Sequence, residues 1–152
     1  MFSHFPISPA PGLMRRFAAI LYDGLLLVAL WFVVTALLLA VSSGHLADPD
    51  RPLWLLYTLR VCLLLVTLLF FTGFWTHGGQ TLGMRAWRLK LISANGGPIN
   101  WKQALWRWLM AVPSVGVIGL GFLWLLFNRE HCALHDLLSG TRLVLLAKKP
   151  EQ

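Results

Sequence analysis

The sequence predicts an all-α membrane protein carrying a small cytoplasmic β-pair and short interfacial helices. Three observations carry that expectation. Hydrophobic residues make up 57% of the chain and charged residues only 12%, where a soluble domain usually has about 25% charged, so much of the surface should face lipid. Two apolar runs, Phe17 to Val41 and Leu53 to Trp75, are long enough at roughly 1.5 Å per residue to cross a hydrocarbon core of about 30 Å. Two short alternating stretches, LKLIS from Leu89 and TRLVLL from Thr141, read as strands that satisfy each other's backbone groups.

Residues 1–13 form a flexible lead rich in proline (Pro6, Pro9, Pro11) and ending at Gly12 and Leu13. One membrane domain, residues 14–147, comes next, and residues 148–152 are a basic tail with Lys148 and Lys149. The first apolar run is the first transmembrane helix. A signal peptide fits less well, because the apolar region exceeds the usual 7–15 residues and holds an acid, Asp23. SSGHLADPDRP is a polar loop. The second run is the second transmembrane helix. Its Arg60 either snorkels outward or faces the bundle and pairs with an acid.

After it, Gly78 and Gly79 end the helix, and Thr81 is placed to cap the next segment. Arg85 to Leu89 suits an interfacial stretch whose Trp87 dips into headgroups. Asn95-Gly96-Gly97 is a tight turn, and Asn100 with Gln103 makes a capping-box pattern. The third apolar run, Leu105 to Phe127, is interrupted by Pro113, Gly116, Gly119 and Gly121. An amphipathic segment ended by Gly140 leads into TRLVLL.

Basic residues orient the chain. Arg15 and Arg16 flank the first helix, the second loop holds Arg85, Arg88, Lys90 and Lys102, and the first loop holds only Arg51 against Asp48 and Asp50. The positive-inside rule then puts the N-terminus and the second loop in the cytoplasm. Three full crossings would put the basic tail outside and separate the two strands. A third run that enters the membrane and returns resolves the conflict; a plain third span is the alternative.

An aspartate at a helix centre costs about 2.5–3.5 kcal/mol on insertion scales, so Asp23 needs a partner or a task. Arg16 lies two turns earlier on the same face, too far for a direct pair along the helix. Asp136, near the cytoplasmic face, is the candidate third member of a shared polar cavity. It could accept from Arg16 while Arg85, Arg88 or Arg107 neutralises the remainder. Asp23 is then either glue between helices or a carboxylate that binds a cation or moves a proton.

The stretches R-x-x-A-x-x-x-D (Arg16, Ala19, Asp23), GGQTLGMRAWRLKLISANGGP and LHDLLSGT stand in that order. From about Met14 to Leu146 the chain resembles the RDD family, small and mostly bacterial membrane proteins named for one arginine and two aspartates. These map onto Arg16, Asp23 and Asp136. Gly79, Thr81, Gly83, Arg85, His135, Gly140 and Thr141 belong to the supporting motifs. The resemblance implies a multi-pass protein of the bacterial inner membrane with a suggested role in transport, some members being linked to sodium/proton exchange. The expected function is movement of cations or small solutes by a homo-oligomer, since so few helices hardly enclose a pathway alone. The alternative is a membrane scaffold or assembly partner in which the Arg/Asp/Asp cluster is structural.

Other chemistries find less support. A net charge of +7 reads as contact with anionic lipid headgroups; the basic residues are scattered, which argues against nucleic acid. His131 and His135 share a helix face but lack further zinc ligands, so no metal or other cofactor is expected. GGQTLG lacks the Gly-Lys-Ser/Thr end of a phosphate loop. Ser114, Ser139 and Thr141 have no readable base, so the chain is not expected to be an enzyme. Cys62 and Cys132 make no disulfide framework.

Overall fold

The computed structural model describes residues 11–116, Asp136 and residues 138–146. Among these residues the fold is mostly helical, with two long apolar helices and one two-stranded sheet. Helix α1 spans Leu13–Val41 and α2 spans Leu53–Thr76. α1 begins before its apolar run because the backbone N–H groups of Arg15 and Arg16 reach the Gly12 carbonyl at 3.2 and 3.4 Å. Leucine, methionine and arginine are good helix formers, so the hydrophobic pattern marks the membrane stretch and not the helix end.

Both helices are long and apolar enough to cross a bilayer, and only 6% of each one's most apolar window is buried. The core helix of a soluble protein would bury most of that surface. Here Leu25, Phe32, Leu37, Leu64 and Leu69 face outward, as lipid-facing helices do.

The chain forms two compact units. One is Gly24–Phe70. It holds the later part of α1, a 3₁₀ turn at His45–Ala47, and the earlier part of α2. Leu27, Leu46 and Leu55 are buried, and the Trp31 indole N–H donates to Thr67 Oγ1 at 3.0 Å. Gly44, at φ +87°, lets α1 end sharply, with its N–H on the Leu39 carbonyl.

The other unit combines Met1–Asp23 with Phe71–Gln152. Beyond the end of α2, Gly78 and Gly79 take positive φ. Then come α3 (Leu82–Ala86), β1 (Leu89–Ser93), α4 (Trp101–Gly116) and β2 (Thr141–Leu145). The strands are antiparallel, with Leu89 opposite Leu145 and Ser93 opposite Thr141. Strand β2 stops one residue short of the expected stretch, and the Leu146 N–H turns to the Arg88 carbonyl. The Asn95 turn closes with the Gly96 N–H on the Ser93 carbonyl. Gln103 Oε1 accepts the Asn100 N–H at 3.2 Å, the return half of the expected capping box. The core is Ala19, Trp75, Leu89, Leu91, Ile99, Ala104 and Leu143.

α4 runs through Pro113 as far as Gly116. A proline removes one ladder bond without ending a helix whose neighbours hold it. The remaining interruptions expected at Gly119 and Gly121, Cys132, His131 and His135, and the tail from residue 147 all lie outside the described residues.

Candidate functional site around two buried aspartates

On α1, Arg16, Ala19 and Asp23 are spaced three and four residues apart and form one buried stripe, while Phe17, Ile20, Leu21 and Tyr22 beside them are exposed. The stripe is polar at both ends and small in the middle. Its partners come from the two glycine-containing motifs.

The carboxylate of Asp23 is 4% exposed. One oxygen accepts the Thr81 hydroxyl at 2.5 Å; the other accepts the Gly83 backbone N–H at 2.8 Å. Thr81 is the N-cap of α3, and its oxygen also accepts the Met84 N–H at 3.2 Å. The free N–H groups at the start of α3 are thus shared between its own cap and an acid from α1. Gly83 is glycine because there is no room for a side chain. An added Cβ would run into the Ala19 carbonyl and stand 2.9 Å from Asp23 Cγ. Small residues at 19 and 83 let the two backbones approach closely enough for these bonds.

Asp136 is 1% exposed. Arg16 Nη1 lies 3.3 Å from its Oδ2 and Arg107 Nη1 lies 2.5 Å from its Oδ1. Arg107 also donates to Thr141 Oγ1 at 2.6 Å, and that hydroxyl meets Ser139 Oγ at 2.8 Å. The guanidinium of Arg107 lies over the Trp75 ring, 5.2 Å from its centroid. The structure therefore brings Arg16 to Asp136 and gives Asp23 to Thr81 and Gly83. Of the three arginines considered as neutralisers, Arg107 is the one at Asp136; Arg85 and Arg88 are exposed.

The supporting residues divide by task. The Gly79 carbonyl accepts the Leu91 N–H at 2.7 Å. With φ +74° and the Leu91 carbonyl where a Cβ would go, only glycine fits there. Gly140, at φ +60°, turns the chain into β2, and its carbonyl accepts from Ala94 at 2.8 Å. Gln80, not singled out from the sequence, donates to the Leu89 carbonyl at 2.6 Å. Ser139 and Trp75 were likewise missed as members of the network. Nothing local marks them: one is a serine in a polar segment, the other an aromatic at the end of an apolar run.

Chemically, the two acids are held differently. Asp136 is surrounded by two cationic donors, which favour the carboxylate and fix it. Asp23 has neutral donors, and among the described residues no arginine, lysine or histidine forms an ion pair with it. The four ionisable side chains Arg16, Arg107, Asp23 and Asp136 balance, two against two.

A family model described as RDD family matches residues 10–140, a range that includes Arg16, Asp23 and Asp136. Neither the comparison with curated proteins nor that with solved structures gives a match.

Proposed function

The chain belongs to the RDD family, and from that premise we propose a membrane protein that moves small cations or protons as a homo-oligomer, with Asp23 as the exchanging carboxylate. One observation carries the reading. Arg16 and Arg107 both engage Asp136, so the second buried acid keeps only neutral donors, Thr81 and Gly83. An acid in that setting can take up a proton or a small cation without breaking an arginine pair.

The setting is the bacterial inner membrane, with the N-terminus and the second loop on the cytoplasmic side by the positive-inside rule. Because β1 and β2 are hydrogen-bonded partners, Ala94 and Gly140, which follow and precede them, lie on one side of the membrane. This supports a third apolar run that enters and turns back. The reaction is transport and not catalysis.

The scaffold reading is favoured by a different aspect of the same geometry: both oxygens of Asp23 already tie α1 to the Thr81–Gly83 segment. The purified full chain in vesicles separates the two. In Asp23→Asn the amide oxygen still accepts from Gly83, and the Thr81 hydroxyl can turn to accept from the amide. Exchange predicts a folded variant with cation-dependent proton flux lost. A variant that fails to assemble, with no flux from the wild type under any cation gradient, would establish the scaffold instead.

A further inference from the structure

Arg60 is a charged residue on an exposed, apolar helix face. It stands seven residues into α2, about 10 Å from Leu53. Trp54, Tyr57, Val61 and Leu64 around it are exposed. Among the described residues Arg60 has no ion pair. Its contact is the Tyr57 ring, with the guanidinium carbon 5.8 Å from the centroid.

That contact fixes a direction. Tyr57 is one turn nearer the 42–52 loop, so the charge is drawn toward the loop end of the helix, the way helical side chains lean. α2 has 24 residues, about 36 Å of helix, against a hydrocarbon core of about 30 Å. The guanidinium then sits about one turn shallower than its own Cα, near the boundary between hydrocarbon and headgroups. At that depth the available anion is a lipid phosphate. Among the described acids of a second copy, Asp23 and Asp136 are buried, which leaves only Asp48 and Asp50 in the loop beyond the helix start; the oligomeric state of Arg60→Leu separates that contact from lipid.

We infer that Arg60, Tyr57 and Trp54 form a binding site for the phosphodiester of an anionic phospholipid in the leaflet next to the 42–52 loop. The guanidinium holds the phosphate by charge-assisted hydrogen bonds. The aromatic rings of Tyr57 and Trp54 stand at the interface, where such side chains are favoured. The site rests on α2 lying in a bilayer, and not on Asp23 exchanging an ion.

Native mass spectrometry of the detergent-purified full chain, offered phosphatidylglycerol or phosphatidylcholine, tests it. The wild type should retain phosphatidylglycerol in preference. Arg60→Leu should lower that retention about tenfold, the size of one charged contact. Arg60→Lys should keep most of it, and Tyr57→Leu should lower it severalfold. Removing a lipid-facing charge leaves the buried packing intact, and an unchanged melting temperature of Arg60→Leu would support the exposed placement. Retention by Arg60→Leu equal to the wild type would overturn the site, as would loss of the oligomer with lipid retention unchanged, which would assign Arg60 to a subunit contact. Alkaline carbonate extraction reports on the bilayer separately: release of the wild type from membranes would overturn the placement of α2 and the site with it.

Discussion

Thr81 uses its hydroxyl twice, donating to Asp23 and accepting from Met84. A hydroxyl can do both at once, a methyl neither. Thr81→Val therefore strips one donor from a buried carboxylate and one cap from α3. The expected cost is about 1.5–3 kcal/mol for the charged bond plus about 1 kcal/mol for the cap. Thr81→Ser should recover most of it. Melting temperatures of the two variants in detergent, followed by tryptophan fluorescence, check the order; a valine variant as stable as serine would mean that the hydroxyl carries no weight. At this scale the sequence was informative about who is buried and less so about who bonds to whom. The spacing of Arg16 and Asp23 marked one face, and an arginine partner for Asp136 was expected. Neither donor to Asp23 was read: the Gly83 backbone N–H leaves no signature in side-chain identity, and the Thr81 hydroxyl was read only as the cap of the next segment.

The two strands were legible because alternation and the need for a partner left few choices for LKLIS and TRLVLL. Helix ends were less so, since apolarity records the lipid and not the backbone ladder. α4 shows the same limit in its faces. Trp101, Leu105, Trp106 and Leu109 are exposed while Ala104 and Arg107 are buried. In water that amphipathic pattern would be inverted; beside lipid, the polar face is the one that turns inward. The register of the sheet makes a prediction of its own. With Cys62 and Cys132 replaced by serine, cysteines introduced as Lys90→Cys and Val144→Cys stand opposite one another and should cross-link under mild oxidation. The pair Lys90→Cys with Leu143→Cys places its side chains on opposite faces of the sheet and should not. The reverse result would mean a one-residue slip, which would turn Leu89 and Leu91 out of the core.

In the unit that joins the start of α1 to the segment after α2, buried polar residues (Arg16, Asp23, Thr72, Thr81, Arg107, Asp136, Thr141) sit inside, while Phe17, Leu21, Trp101 and Trp106 are on the outside. Such a distribution suits a solvent of lipid and interface. It also bears on topology. Arg85 is exposed on α3, and β2 lies beside β1 just after it. With the native cysteines replaced, Arg85→Cys and Lys148→Cys should both react with a membrane-impermeant maleimide added from one and the same side of sealed vesicles. Labelling from opposite faces would require a complete crossing between them and would rule out a returning third run.

The hydrogen bond between Thr81 and Asp23 joins residues 58 apart, and that between Arg16 and Asp136 joins residues 120 apart. During synthesis, the first helix therefore leaves the ribosome long before its acid or its arginine can meet a mate. Asp23 waits only until Thr81 and Gly83 emerge, whereas Arg16 waits until Asp136 and β2 do. Whatever inserts the chain must therefore shelter an unmatched arginine while the 120 residues up to Asp136 are made.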